Sequence, residues 1–264
     1  KAVRPGSDPE DCVHCYHWHW PCLARVMKKF LRFFLLGVVL MLGIVALYLF
    51  VGRVSPAQEI QWGVNFSQKQ ATALGLDWRA AYAALLDDLE VRKLKVSLDW
   101  NELEQAKDAF SFDDTDWQAR EAEKRDAKLL LVMGMKTMRW PECHMPEWAK
   151  ELSKEEQQKE ILALLEAVVN RYKDSPALSE WQVENESLLK FGNCPWRDRK
   201  FLEKEVELVK SLDPNHPVVV SDSGELSLWV QAAKIGDIVS TTMYRKVWFH
   251  EIDRYVEYPL PPVF

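Results

Sequence analysis

Two carboxylic acids flank an amide at Glu184-Asn185-Glu186, where the apolar stretch Ala-Leu-Ser-Glu-Trp-Gln-Val (177–183) gives way to polar residues. A glutamate so placed can release or take up a proton, and the neighbouring amide can donate and accept hydrogen bonds. The same residues also suit a surface turn at the start of a helix. Side chains two apart in a strand share a face, so parity alone leaves Glu184 and Glu186 both open. A second dense group, Arg139-Trp140-Pro141-Glu142-Cys143-His144, puts a cation, an indole and an imidazole in one short stretch after Met133-Gly134-Met135-Lys136. Each of them singly fits a purely structural loop equally well. Near the N-terminus Cys12, His14, Cys15, His17, His19 and Cys22 are of the types zinc prefers, but their spacing matches no closed site, so no metal is expected. No cofactor is expected either.

Chemistry at such positions needs a scaffold that brings loop ends together. Short apolar runs alternate with longer amphipathic stretches, the pattern of repeated βα units around a parallel sheet. Strands are predicted at 60–66, 94–98, 128–134, 178–184, 218–222 and 237–243. The clearest helix begins at Ser153, where Ser-x-x-Glu156 forms a capping box ahead of an apolar face of Ile161, Leu162, Leu165 and Val168; Asp213-Pro214 ends another. The fold class is therefore α/β, an incomplete (β/α)8 barrel with about six βα units. A six-stranded doubly wound sheet is the alternative, but Gly63 stands alone after the first strand, with no glycine-rich phosphate loop. In a parallel barrel the working residues project from the C-terminal strand ends, so the breaks from apolar to polar sequence are the informative places.

The 264 residues, 48% hydrophobic, suffice for one sizeable core and an appendage. A formal net charge of −6 lacks the basic footprint of a phosphate-backbone binder, so nucleic acid is not an expected partner. The appendage is a membrane segment. Residues 33–52 run without a charge, and twenty helical residues span the ~30 Å of a bilayer core. Arg25, Lys28, Lys29 and Arg32 precede the run and Arg53 follows it, which orients the N-terminus to the cytoplasm. The expected division is 1–32 cytoplasmic, 33–52 signal-anchor helix, 53–58 linker and 59–264 partial barrel, with the barrel extracytoplasmic. Met27-Lys28-Lys29-Phe30 reads as a natural start, leaving 1–26 as upstream sequence. Ser55-Pro56-Ala57 offers a weak cleavage site that would release a secreted form, but the length of the apolar run favours a retained anchor.

With Asn185-Glu186 closing the fourth strand, the sequence resembles the clan of retaining (β/α)8-barrel glycoside hydrolases, cellulase- and β-glycosidase-like, over roughly 59–247. The progression Lys93 to Trp100, Glu102, Glu104, Phe110-x-Phe112-Asp113 and Asp116-Trp117 is similar to the clan's second unit. The resemblance implies hydrolysis of glycosidic bonds in an oligo- or polysaccharide. Glu186 would be the general acid/base, and Asn185 would hydrogen-bond the sugar's 2-hydroxyl. The clan often carries an arginine where this chain has Lys95, which keeps the charge but not the bidentate fork. Tyr244, after strand six, would touch the nucleophile. Trp140 would stack on a pyranose face, with Arg139 and His144 bonding hydroxyls. Cys143 and Cys194 fall in the neighbouring loops after strands three and four, and are expected to pair outside the cytoplasm. The clan's nucleophile comes from strand seven, which this sequence does not supply, and Glu225 lies in the wrong unit. Residues 54–264 alone are accordingly expected to be inactive on an aryl glycoside. Two other readings stay open, a non-catalytic carbohydrate-binding protein at the cell surface and a barrel that scaffolds protein partners.

Overall fold

A computed structural model describes residues 19–51, 59–224, 227, 229–242, 244, 246–249 and 252–257. Its chain divides into two units, one of 59–244 and one comprising the N-terminal helix with the segment after 244.

The larger unit is built from six parallel strands, β1 (Val64–Phe66), β2 (Lys93–Ser97), β3 (Lys128–Met133), β4 (Leu178–Val183), β5 (Val218–Asp222) and β6 (Ile238–Thr241), each bonded to the next in chain order. This in-order parallel arrangement curls into a part-barrel, and excludes the doubly wound alternative, whose strand order reverses. Between the strands run α2 (Gln68–Ala73), α3 (Trp78–Asp87), α4 (Trp100–Leu103), α5 (Asp113–Glu123), α6 (Glu147–Lys150), α7 (Lys154–Tyr172), α8 (Arg199–Leu212) and α9 (Ala232–Ile235); the N-terminal helix α1 is His19–Val51. The predicted β1 is four residues too long at its start, because an edge strand pairs only where its single neighbour reaches, here Leu94 to Val96.

Alternation decides which side chains face the helices. In β2, Leu94 and Val96 are buried while Lys93, Lys95 and Ser97 are half-buried on the concave side. The core between sheet and helices takes Trp100, Trp181 and Tyr82, all fully buried. Buried polar handles are met: the Trp100 indole donates to Glu104 Oε2 at 2.8 Å and that of Trp181 to Asp213 Oδ2 at 2.9 Å. Helix α7 starts with the expected capping box between Ser153 and Glu156. It buries Ile161, Leu164, Leu165, Val168 and Val169, while Leu162 is only half-buried beside that stripe.

In the other unit, Met27–Leu47 of α1 is long and apolar enough to cross a membrane. An antiparallel hairpin, β7 (Lys246–Phe249) with β8 (Arg254–Glu257), pairs Trp248 with Tyr255, their ring centroids 4.8 Å apart. The hairpin was not anticipated from the sequence.

Candidate active site at the strand ends

The chain leaves β4 through two residues of positive φ, Glu184 at 58° and Glu186 at 48°. These turns break strand alternation, so the two carboxylates reach different surroundings. Glu184 is buried, and its Oε1 and Oε2 accept the backbone N–H groups of Met135 and Lys136, both at 2.8 Å. Gly134, at φ +124°, is needed here, since a Cβ on it would stand 2.6 Å from Glu184 Oε1. Glu184 thus ties the β3 loop to the end of β4.

Glu186 instead faces a cavity of about 330 Å³ with Asn65 from β1, Lys95 from β2, Ser221 from β5, Thr242 after β6 and Tyr244. Its Oε1 accepts a hydrogen bond from the Thr242 hydroxyl at 3.0 Å. Its backbone is fixed at both ends: the N–H donates to Ser221 Oγ at 2.9 Å, and Lys136 Nζ donates to its carbonyl at 2.8 Å. Lys136 is itself buried and donates to the Leu189 carbonyl at 3.4 Å, so an ammonium pins the loop after β4 through two carbonyls. Asn185 lines the same cavity; Gln182 Nε2 lies 3.4 Å from its Oδ1.

Burial lowers the Lys95 ammonium to about 8, against the opposing charge of Glu186. Burial likewise pushes the Glu142 carboxyl up to about 7; the nearby Glu186 charge adds to this, while Lys136 and a hydrogen bond with the Asn185 side chain oppose it. Among the described residues lining the cavity, Glu186 is the one carboxylate.

Of the residues singled out from the sequence, Lys95, Asn185, Glu186 and Tyr244 come together around this cavity, whereas Arg139, Trp140 and His144 are not in its lining. The expectation for His144 needs correction. Its side chain is 1% exposed, with Nε2 3.1 Å from the Arg139 carbonyl and Nδ1 3.6 Å from Asp99 Oδ2, too long for a hydrogen bond. Burial lowers its pKa, so the imidazole is a neutral packing group that ties the loop and offers no surface to a hydroxyl. Trp140 is exposed and meets Phe191 edge-on, ring centroids 6.2 Å apart. Arg139 is exposed. Cys143 and Cys194 are joined by a disulfide with a Cα–Cα distance of 5.2 Å. The N-terminal cysteine and histidine group lies outside the residues whose side chains are described. Ser221 and Thr242 were overlooked in the sequence, although both stand at strand ends, the very criterion that singled out Glu186.

Residues 67–221, more than half of the chain, match the sequence profile of glycosyl hydrolase family 10. The chain belongs to that family. This family 10 chain is also 40% identical over 62 residues to mannan endo-1,4-beta-mannosidase F of Aspergillus fumigatus, and 39% over 62 residues to the enzyme of the same name from Aspergillus clavatus. Each match takes in 24% of this chain and spans 14% of the relative's own length. Among solved structures it is similar to GH5_18 from Streptomyces cattleya, with TM-score 0.58 and 13% identity over 72% of this chain and 52% of that one. It is also similar to a β-galactosidase from Rahnella sp. R3, with TM-score 0.52 and 10% identity over 72% and 40% of the two chains. At such identities the likeness is one of fold, that of the barrel glycosidases, of which this chain shows six strands.

Proposed function

We propose that the protein hydrolyses glycosidic bonds of a polysaccharide by a retaining two-carboxylate mechanism, with Glu186 as general acid/base. The observation that carries this reading is the Glu186 carboxylate turned into a polar cavity at the strand ends, its backbone held on both sides and its Oε1 bonded by Thr242. There it would protonate the leaving oxygen in the first half-reaction and deprotonate water in the second. Asn185 would bond the 2-hydroxyl, and Lys95 would supply a positive charge beneath the sugar ring. Tyr244 would lie beside the nucleophile, a second carboxylate ~5 Å from Glu186 contributed by a further strand. Trp140, with Phe191, would stack on a sugar farther along the chain. The first substrate class to test is β-1,4-mannan, the polymer named for the Aspergillus relatives. The helix Met27–Leu47 would hold the catalytic domain at the outer face of a membrane.

Glu186→Ala and Glu186→Gln in the full-length protein test the reading. Hydrolysis of mannan should fall ~10²–10⁴-fold, the usual contribution of a positioned general acid/base. With an aryl mannoside the departing phenolate needs no acid, so azide, which needs no base, should restore turnover in Glu186→Ala and give a glycosyl azide of retained configuration. Undiminished mannan hydrolysis in both variants would sink the proposal. The single carboxylate in the described lining favours one rival, a protein that binds saccharide without cleaving it. Saturable mannan binding by the wild type with no reducing ends released would decide for that rival.

A further inference from the structure

A third buried carboxyl stands behind this site. Glu205 of α8 is 1% exposed, lines one small cavity with the buried Glu184 and pairs with its carboxyl, while Glu205 Oε1 meets no other hydrogen-bond partner. Two ionised carboxylates at hydrogen-bond distance in a buried site cannot coexist, because like charges so close repel without solvent to screen them. One proton must therefore lie between them. Each oxygen of Glu184 already accepts a backbone N–H, the arrangement of an ionised carboxylate, so the proton belongs to Glu205, which donates to Glu184.

Among the described residues, no salt bridge is formed to Glu184 or Glu205, although two cations are near. Lys136 Nζ is committed to the Glu186 and Leu189 carbonyls. At the start of α8, Asp198 pairs with Lys154 at 2.7 Å and caps Lys200 and Phe201, while Arg197 lies with Lys136, Glu184 and Glu205 along one small cavity of about 20 Å³.

We propose that Glu205 is a positioning residue for Glu186, its shared proton holding Glu184 in place and Glu184 holding the Met135–Lys136 backbone whose lysine fixes the loop after β4. The proposal rests on the reading of Glu186 as the acid/base. The linkage has a defined sign. Burial raises both carboxyls of the pair, and Glu205 further because it faces Glu184. A glutamate raised above its unfolded value of ~4.3 contributes stability that is full below that pH and is lost as pH rises through its folded value. Alkaline conditions should therefore loosen the Met135–Lys136 amides before the sheet itself.

The test uses the full chain in detergent micelles, comparing wild type with Glu205→Gln, whose amide donates the same hydrogen bond but does not titrate. At neutral pH the wild type should show a carboxylic-acid C=O infrared band that Glu205→Gln lacks. Between about pH 6 and about pH 9, hydrogen-exchange protection of the peptide carrying Met135 and Lys136 should fall about tenfold relative to β5 in the wild type and stay level in the variant. In the full-length protein, where Glu186 as general acid itself sets an alkaline limb, Glu205→Gln should shift the midpoint of that limb, with kcat moving more than KM. An unchanged infrared band, a pH dependence of protection shared by both proteins, or a Glu205→Gln protein unfolded at pH 6 would overturn the proposal. Should the band and protection behave as expected while Glu186 variants keep full hydrolysis, the proton pair stands and the acid/base reading fails.

Discussion

Lys95 lies in the cavity with Glu186, and burial acts on it in the sense opposite to Glu205. Its folded value near 8 lies below the unfolded ~10.4, so the unfolded chain binds more protons between those values and stability rises with pH across that window. At pH 7 the fold thus carries a partly buried ammonium that it would be more stable without. Lys95→Met should raise the melting midpoint by ~2–4 °C at pH 7, equivalent to ~1 kcal/mol in a domain of this size. A lower midpoint at pH 7 would show that the charge of Glu186 outweighs burial. Ser221 presents the reverse case. Its hydroxyl accepts from the Glu186 N–H and from Gln182 Nε2; Gln182 Nε2 keeps the Glu184 carbonyl, but Ser221→Ala leaves the buried Glu186 N–H without its acceptor and should cost ~1–3 kcal/mol in urea denaturation. Asn185 and Glu186 stand where an apolar run ends, a local signal, whereas Lys95 lies inside β2 and drew attention only through the resemblance. The separation of Glu184 from Glu186 was not, since it depends on two positive-φ turns that neither residue type announces. The burial of His144 was not legible, since only the folded loop encloses the ring and brings its Nε2 to the Arg139 carbonyl.

Helices and strands were easier to read, since their signals are local. All six parallel strands appear within a few residues of their predicted places, because a strand buried on its helix side must be apolar at alternate positions whatever its neighbours. The hairpin after β6, Lys246–Phe249 with Arg254–Glu257, escaped notice because its strands mix charged and aromatic residues and lack the apolar run that marks the parallel strands. Helix α7 shows how cap and stripe divide the work of a legible element. Ser153 Oγ accepts the Glu156 N–H at 3.3 Å while Glu156 Oε2 accepts the Ser153 N–H at 2.9 Å. Both lie at the surface, so Ser153→Ala should cost only ~1 kcal/mol. Leu165, fully buried beneath the same helix, should cost ~2–5 kcal/mol when cut to alanine. Chemical denaturation of the two variants measures both, and a cap variant as costly as the core variant would mean that α7 is held by its N-terminus rather than by its packing.

The whole molecule joins an apolar N-terminal helix to a domain carrying a disulfide, and the two features constrain each other. Disulfides persist in oxidising compartments and are reduced in the cytosol. On the proposed membrane anchoring, the basic residues Lys28, Lys29 and Arg32 ahead of the apolar run would favour a cytosolic N-terminus and would put everything after the helix on the oxidising side. The Cys143–Cys194 bond encloses a sequence separation of 51 residues, and its loss should cost ~2–4 kcal/mol by freeing the unfolded chain. Topology and cross-link should therefore change together. Replacing Lys28, Lys29 and Arg32 by glutamate, with two lysines added after Arg53, should invert the helix in the membrane. The domain should then become accessible to protease only from the cytosolic side, with Cys143 and Cys194 recovered as alkylatable thiols. The wild type, expressed alongside, should yield the 143–194 peptides linked and refractory to alkylation until reduced. Linked peptides in both proteins, or a charge-reversed protein whose protease accessibility is unchanged, would show that something other than flanking charge sets the orientation of this helix.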